Sequence, residues 1–263
     1  MSSLKGHRAF VTGATQGVGR EIALALARAG ADLVLHGLRL DTHAEHTRAR
    51  CAAAGVEVAV VTGDLSAHPV EAATQLFADA TAAMPGIDLL VNNAGTCLDT
   101  THFLDVSPEI FERTLRLNVQ APFFLTQQFA RDWVSRGIQG RVLFTGSING
   151  RLAEQNHAAY DTSKGAVEMM VKTLCVALAP KGIRVNGMAP GLVRTPLTDA
   201  FLSDSKAMAW MQLHTPNGAV PGPDVCGEAA VFLLGDAAWH IHGQMLLVDG
   251  GMSAWQQPDP PGM

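Results

Sequence analysis

Short apolar, β-branched runs alternate with longer helical patterns along almost the whole chain, and this alternation constrains the fold more than any other feature. Seven runs predict strands, at 9–12, 32–36, 56–61, 89–91, 140–145, 184–187 and 245–248. The patterns between them predict helices at 17–29, 42–54, 70–83, 108–135, 158–179 and 224–234. Strands that alternate with helices form parallel sheets covered on both faces. The sequence therefore predicts one doubly wound α/β domain over residues 1–255, with a parallel sheet of about seven strands and helices on both faces.

Two segments depart from the alternation. Residues 195–223 lie between a strand and a helix, and they combine apolar residues with Pro and Gly. A connection of this length in a compact domain is usually functional, so we predict a lid over a substrate. The last residues, 256–263, are rich in proline and predict an extended C-terminal tail, which is mobile unless it docks on a neighbouring subunit.

Composition and charge exclude several classes of function. The net charge of -5 provides no basic surface for nucleic acid. No apolar stretch reaches the roughly 18 residues of a membrane span, and the N-terminus lacks the layout of a signal peptide. The four cysteines are widely spaced, and neither they nor the ten histidines follow a metal-ligand pattern. We therefore expect reduced thiols, a cytoplasmic location, no membrane contact and no bound metal.

The first predicted strand runs directly into a glycine-rich turn and then a helix. Residues 12–19 read TGATQGVG, which gives the spacing Gly-x-x-x-Gly-x-Gly rather than Gly-x-Gly-x-x-Gly. Glycines allow a tight turn and a close approach to a pyrophosphate, whose charge then lies at the helix N-terminus. In this context the turn predicts a dinucleotide site of the Rossmann type; the alternative is a plain strand-to-helix turn.

The chain has a single tyrosine, Tyr160, and a lysine follows it four residues later, Lys164. In a helix this step places both side chains on one face. A free phenol has a pKa of about 10, and a nearby ammonium favours the phenolate and lowers that pKa. The pair is therefore a candidate general acid/base; the alternative is a half-buried tyrosine beside a solvated lysine.

Further motifs occur in a fixed order around this pair, and with them the chain resembles the short-chain dehydrogenase/reductase family from Arg8 to about Ala254. They are the glycine turn, Gly63-Asp64-Leu65, Asn92-Asn93-Ala94-Gly95, Asn118, Ser147, Tyr160 with Lys164, Pro190-Gly191-Leu192-Val193-Arg194-Thr195 and Val248-Asp249-Gly250-Gly251. The resemblance implies an NAD(P)-dependent oxidoreductase that interconverts a secondary alcohol and a ketone.

The resemblance also implies a role for each matching residue. Serine orients the substrate oxygen, tyrosine exchanges its proton, lysine bonds the nicotinamide ribose and asparagine holds a water; the implied catalytic residues are Asn118, Ser147, Tyr160 and Lys164. The implied cofactor-binding residues are Gly13, Thr15, Gln16, Gly17, Val18, Gly19, Gly37, Leu38, Arg39, Asp64, Leu65, Asn92, Ala94, Gly95, Tyr160, Lys164, Pro190, Gly191, Val193 and Thr195.

The loop after the second predicted strand influences the preference for NAD or NADP. An acid that would bond the ribose 2′-hydroxyl is missing, because that position is Gly37. Gln16 stands where NADP-dependent members often place a basic residue, although Arg39 is available for a 2′-phosphate. Gly37 followed by Leu38 resembles a pattern of NAD-dependent members. We expect NAD, with NADP as the alternative.

The segment between Ser147 and Tyr160 is rich in hydrogen-bonding groups, of which Asn149, Glu154 and His157 are candidate substrate-binding residues together with Ser147 and Tyr160. A site that bonds several hydroxyls rejects apolar analogues, because its buried polar groups would be left unpaired. A small polar substrate is therefore expected: a sugar, a polyol or another hydroxy compound. The alternative is that most of these side chains face solvent.

Two other functions remain open at this point. Apolar residues in the 195–223 segment would suit a reductase of bulkier ketones or 3-oxoacyl substrates. A non-catalytic dinucleotide sensor would use the same fold, but it would not need the four catalytic residue types. By resemblance, the helices at 108–135 and 158–179 pair between subunits, so a homo-oligomer, a tetramer or a dimer, is expected.

Overall fold

The computed structural model describes residues 3–254 and contains the predicted alternation of strands and helices. The strands are β1 (Arg8–Val11), β2 (Asp32–Gly37), β3 (Val58–Thr62), β4 (Leu89–Asn92), β5 (Arg141–Thr145), β6 (Arg184–Pro190) and β7 (Met245–Val248). The helices are α1 (Gly17–Arg28), α2 (Thr42–Ala52), α3 (Pro69–Ala83), α4 (Pro108–Leu115), α5 (Ala121–Arg136), α6 (Ala158–Leu178), α7 (Asp199–Leu202), α8 (Ser205–Leu213) and α9 (Val225–Leu234). All seven predicted strands are present.

The strands form one parallel sheet in the order β3-β2-β1-β4-β5-β6-β7. The chain moves outward from β1 to β3, then returns and continues outward from β4 to β7 on the other side. This order confirms the predicted doubly wound sheet. The reversal between β1 and β4 leaves a crevice at the carboxyl ends of the strands, where such sheets bind ligands.

The period-two alternation of strand side chains fills two apolar cores, one on each face of the sheet. Leu33 and Leu35 of β2 pack with α1, α2 and α9. Val34, between them, packs on the opposite face with α3, α5 and α6. Helices on both faces hold the sheet rigid, so the loops at its carboxyl edge have a fixed base.

The helix predicted over 108–135 is interrupted in the structure. A π-helical turn, Arg116–Gln120, separates α4 from α5. Single π turns are rare and occur often at functional sites. Asn118 lies in this turn and is buried, so the irregular backbone carries one of the candidate catalytic residues.

None of the helices among residues 3–254 combines the length and the apolar content needed to cross a membrane. The predicted lid segment contains α7 and α8. The predicted tail at 256–263 lies outside the described residues.

Candidate active site

A cleft of about 440 Å³ runs along the carboxyl edge of the sheet. The loops that follow six neighbouring strands, β1 to β6, all contribute to its walls. The predicted cofactor residues that line it are Gly13, Thr15, Gln16, Gly17, Val18, Gly19, Gly37, Leu38, Asp64, Leu65, Ala94, Gly95, Tyr160, Lys164, Pro190, Gly191, Val193 and Thr195. Ser147 lines the same cleft, so the candidate cofactor and catalytic residues meet in one place.

Hydrogen bonds between Thr12 and Asn93 join the β1 and β4 loops at the point where the strand order reverses. The Thr12 hydroxyl accepts from the backbone N–H of Asn93 at 2.9 Å and of Ala94 at 3.0 Å, and it donates to the carbonyl of Val91 at 3.2 Å. The Asn93 amide donates to the carbonyls of Thr12 at 3.1 Å and Gly13 at 3.2 Å. These bonds fix the floor of the cleft.

The shape of the glycine turn shows whether a dinucleotide can bind there, because its backbone must approach the pyrophosphate closely. A Cβ on Gly19 would lie 2.2 Å from the carbonyl oxygen of Gly13, and Gly17 has a φ of +56°. Within the described residues, Gln16 makes no side-chain capping bond to α1, and the first turn of α1 contains no acid. The helix N-terminus is thus open toward an anion, and the residues present fit a pyrophosphate.

His36, at the end of β2, bridges two loops of the cleft. It is buried, its Nδ1 accepts from the backbone N–H of Gly13 at 3.3 Å, and its Nε2 lies 3.0 Å from the carbonyl of Gly63. Burial lowers the pKa of His36 below its ordinary value, so the ring is neutral, with the proton on Nε2 for donation to Gly63. The glycine turn and the loop after β3 are therefore tied to one side chain.

Ser147, Tyr160 and Lys164 converge on the cleft from β5 and α6. Lys164 is buried, its Nζ donates to the carbonyl of Thr145 at 3.0 Å, and it lies 5.5 Å from the centroid of the Tyr160 ring. The arrangement excludes the solvated-lysine alternative, because only 7% of Lys164 is exposed. The two hydroxyls and the ammonium provide a proton donor, a second hydroxyl and a cation at one place.

The titration of this group differs from the sequence-based expectation. Burial of the phenol raises the pKa of Tyr160 to about 12, with smaller contributions in the same direction from Cys97, Asp161 and Glu154, although a side-chain hydrogen bond with Ser147 lowers it. Burial also lowers the pKa of Lys164 to about 8. Desolvation therefore outweighs the expected lowering of the phenol pKa by the lysine, and Tyr160 is a proton donor in the ligand-free cleft.

Asn118 supports the site from below rather than lining the cleft. Its amide donates to the carbonyl of Thr96 at 2.8 Å and to Ser163 Oγ at 3.0 Å, and its Oδ1 accepts from the N–H of Thr96 at 2.8 Å. A Cβ on Gly95 would lie 3.3 Å from this Oδ1 and 3.8 Å from Nζ of Lys164. The glycine thus keeps open a space shared by the asparagine and the lysine.

The structure places two predicted cofactor residues outside the cleft lining. Asn92 is buried and donates to the Thr126 hydroxyl at 2.9 Å. Successive strand residues point to opposite faces, so its neighbour Asn93 lines the cleft in its place. Arg39 is exposed on the loop after β2, beyond the lining residue Leu38.

Three of the five predicted substrate residues, Asn149, Glu154 and His157, form a network beside the cleft and are not among its lining residues. The Asn149 amide donates to Glu154 at 3.0 Å and to Asp161 at 2.8 Å, while its Oδ1 lies 3.3 Å from the Ser147 hydroxyl. The ring of His157 lies edge-on to Tyr160, with the centroids 6.3 Å apart. The network connects directly to the candidate catalytic residue Ser147.

Sequence reasoning missed Thr12, His36, Asn93 and Asp99 as contributors to the site. Asp99 is fully buried, and its Oδ2 accepts from the backbone N–H of Ala159 at 2.7 Å and of Tyr160 at 3.4 Å. The polar positions of Thr12 and His36 at the ends of two predicted apolar strands were the available signal. For Asp99, 60 residues from its partner Ala159, the sequence carries no local signal.

Comparisons with known proteins agree with this geometry. A family model described as enoyl-(acyl carrier protein) reductase matches residues 13–253. An L-rhamnose 1-dehydrogenase (NAD(P)(+)) of a Sphingomonas species is 32% identical, over 96% of this chain and 98% of the relative. A gluconate 5-dehydrogenase of Gluconobacter oxydans is also 32% identical, over 95% and 96% of the two chains.

A solved structure of similar fold extends the comparison. The gluconate 5-dehydrogenase of Burkholderia cenocepacia, in complex with NADP and tartrate, superposes with a TM-score of 0.89 at 31% identity. The superposition covers 97% of this chain and 98% of the other. The likeness therefore extends through the cleft and the segment above it.

The bridge made by His36 generates a prediction for nucleotide binding. His36→Gln keeps a polar atom near Gly63 but loses the acceptor for Gly13, so we expect the Kd for NAD(H) to rise about tenfold, since a buried donor is left unpaired. His36→Asn keeps an acceptor for Gly13 and serves as the matched control, with a rise of less than about threefold. Nicotinamide fluorescence titration measures both, with Tm as a check on folding; equal effects would contradict the bridging role.

Proposed function

Since the chain belongs to the short-chain dehydrogenase/reductase family, we propose that it is an NAD(P)-dependent oxidoreductase that interconverts a secondary alcohol and a ketone. Its substrate is small and polar, of the sugar, polyol or hydroxy-compound class. The observation that carries the proposal is the meeting of Ser147, Tyr160 and Lys164 with the glycine turn in one cleft. The similarity to rhamnose and gluconate dehydrogenases supports the polar substrate over bulkier ketones.

The chain's own residues account for the proton movements of this reaction. When bound, the nicotinamide supplies the hydride chemistry, taking the electron pair of the carbinol C–H bond or returning it. In reduction, Tyr160 donates its proton to the carbonyl oxygen as the new C–H bond forms. In oxidation, the phenol first releases its proton to solvent, and the phenolate then takes the proton of the substrate hydroxyl as the carbinol C–H bond breaks. Ser147 orients the substrate oxygen, and buried Lys164 stabilises negative charge on the phenol.

The cofactor is held by the residues of the cleft wall. Uncommitted backbone N–H groups at the start of α1, beside Gly17 and Val18, suit the pyrophosphate. Asp64 and Leu65 are proposed to border the adenine, and Val193 with Thr195 the nicotinamide amide; all four line the cleft. Asn93 replaces Asn92 in the proposed ribose-side set, because its side chain lies on the cleft side.

NAD is the proposed preferred cofactor, with NADP accepted. Apolar Leu38 lines the cleft where a 2′-phosphate would lie, while Arg39 stands outside the lining. Asp41, the acid in the same loop, caps α2 by accepting from Ala44 at 3.0 Å. Asp at position 37 would not fit without a shift, because even a Cβ there would lie 2.5 Å from Cγ2 of Thr15.

The segment 195–223 is proposed to act as a lid. Its first residue, Thr195, packs beside the glycine turn, since a Cβ on Gly17 would be 3.6 Å from Cβ of Thr195. Above this contact, the segment exposes apolar side chains: Leu197, Phe201, Trp210 and Leu213. Closure of the segment over the cleft would itself remove part of this apolar surface from water, and Leu197 already lines the cleft.

Assembly into a homo-oligomer and a cytoplasmic location complete the proposal. On α5 and α6 several large apolar residues remain exposed in the single chain: Phe123, Val134, Met169 and Val176. Their neighbours Leu125, Trp133, Val167 and Met170 are buried against the sheet, so the exposed set is available to a second subunit. The four free thiols fit a reducing compartment.

The proton-transfer role of Tyr160 gives the direct test of the enzyme assignment. In a screen of sugars, polyols, hydroxy acids and ketones with each cofactor, the wild type should turn over at least one polar substrate. Tyr160→Phe should lower kcat by at least about 100-fold while leaving the cofactor Kd unchanged within about twofold, because a single ring hydroxyl is removed. Absence of wild-type turnover throughout the panel would favour a dinucleotide sensor.

The loop after β2 gives a prediction for cofactor preference. We expect the wild type to show a higher kcat/KM with NAD than with NADP. When NADP binds, the exposed side chain of Arg39 is proposed to reach its 2′-phosphate from outside the lining, so Arg39→Ala should lower kcat/KM for NADP by about three- to tenfold and should affect NAD less. Arg48→Ala, an exposed arginine on α2, is the matched control; steady-state kinetics with both cofactors decides, and equal losses would contradict a phosphate role for Arg39.

The exposed apolar surface of α5 and α6 gives a prediction for assembly. Light scattering after size exclusion should give a mass of two or four chains. Met169→Glu, which places a charge in that surface, should shift the mass toward the monomer. Glu112→Gln, on exposed α4, should leave it unchanged. A wild-type monomer would contradict the assembly.

A further inference from the structure

The positive end of α6, beside Tyr160, is already occupied by a carboxylate of the protein. Asp99 is fully buried and accepts from the N–H groups of Ala159 and Tyr160 at 2.7 and 3.4 Å. The N-terminus of a helix is otherwise a ready site for an anion. A substrate carboxylate would find these donors taken and a negative charge in their place.

The amide donors next to Ser147 are also committed to carboxylates of the protein. Both side-chain N–H groups of Asn149 point to acids, Glu154 at 3.0 Å and Asp161 at 2.8 Å. The backbone N–H of Glu154 donates to Asp161 as well, at 2.7 Å. The amide of Asn149 therefore faces Ser147 with its oxygen, an acceptor, which suits a hydroxyl and repels a carboxylate.

The negative charges reach the reacting hydroxyl. Burial is the main cause of the raised pKa of Tyr160, and the charges of Asp161 and Glu154 act in the same direction. Counting Asp99, three carboxylates lie on the side of the cleft where the substrate oxygen meets Tyr160. An anionic substrate would have to approach against this field.

The nearby cations do not compensate for these acids. Arg151 is bound by both oxygens of Glu168 at 2.9 and 3.0 Å. Arg113 lines the cleft, and its charge lowers the pKa of Asp64 after β3; Asp64 is four strand spacings from β5, or about 19 Å. Arg194 is exposed outside the lining, and buried Lys164 is bonded to the Thr145 carbonyl.

From these contacts we infer that the substrate is an uncharged sugar or polyol rather than a sugar acid. The inference rests on the proposed function and narrows its substrate class. Sugar hydroxyls donate hydrogen bonds, and the groups around Ser147 present acceptors, the oxygens of Asn149, Glu154 and Asp161, which already accept within the protein. Donor hydroxyls against carboxylate acceptors form charge-assisted bonds, which are shorter and stronger than neutral ones. Glu154, more than half of whose side chain is exposed, is placed to reach such a hydroxyl.

The test compares neutral and anionic substrates of matched size. The neutral compounds are L-rhamnose, D-glucose and xylitol, and the anionic compounds are D-gluconate and 5-keto-D-gluconate. The four alcohols are oxidised with NAD or NADP, and the keto acid is reduced with NADH or NADPH. Each assay is run at low and at high salt. We expect kcat/KM for the best neutral compound to exceed that for the best carboxylate by at least about tenfold at low salt. High salt should narrow the gap, because it screens the repulsion.

A charge-removing variant locates the cause of the preference. Glu154→Gln keeps an acceptor for Asn149 but removes one charge, so it should raise kcat/KM for gluconate relative to rhamnose by about three- to tenfold. Asp161→Asn should act in the same direction, with Tm reporting whether either variant still folds. Glu228→Gln, an exposed acid on α9 far from the cleft, is the control and should leave the ratio unchanged.

The outcomes separate this inference from the function on which it rests. The inference is overturned if the enzyme prefers the carboxylates, or if the ratio of kcat/KM for neutral and anionic compounds changes neither with salt nor in the two charge-removing variants. The dehydrogenase assignment stays intact in both cases. Failure to turn over any compound with either cofactor overturns the dehydrogenase assignment, and the inference falls with it. A salt-sensitive neutral preference that Glu154→Gln weakens supports both.

Discussion

The hydrogen bonds between Thr12 and Asn93 are the constraint on which the site depends. They join the β1 and β4 loops where the strand order reverses, the one place in the sheet where consecutive loops diverge and leave a crevice. One hydroxyl serves three backbone groups there. With this floor fixed, His36 ties the β3 side to the glycine turn, and Asp99 ties the β4 loop to α6. The walls of the cleft are thus connected by hydrogen bonds to the junction between the β1 and β4 loops.

The strand pattern was predictable from sequence because buried parallel strands read as short apolar runs between turn residues. That most proposed cofactor-binding residues line one cleft was predictable for a related reason: they follow strand ends, and strand ends meet at one edge. Contacts between segments that are distant in the sequence could not be predicted. Asp99 acts 60 residues away, on Ala159, and nothing in its local sequence indicates this partner. Whether Asn92 or Asn93 lines the cleft depends on where β4 ends, because a shift of one position turns a side chain to the other face of the sheet.

The pKa of Tyr160 also could not be predicted from its spacing to Lys164 alone. The four-residue step correctly brings Lys164 against the phenol, but spacing contains no information on desolvation. In the folded chain, burial and two carboxylates raise the pKa of the phenol, and burial lowers that of the lysine. By our inference, the same carboxylates that oppose phenolate formation also disfavour anionic substrates. Acid/base tuning and the charge of the proposed substrate then depend on one group of side chains.

The π-helical turn at Arg116–Gln120 has a consequence for how this family member can vary in length. Such a turn holds one residue more than an α-helix over the same distance, and each residue of an α-helix accounts for about 100° of rotation and 1.5 Å of rise. Removing one residue would let the segment rewind as a regular helix. Asn118 would then be carried around the axis, away from Thr96 and Ser163, while α5 kept its packing. Insertions and deletions that the surface loops tolerate are thus forbidden at this point of the chain.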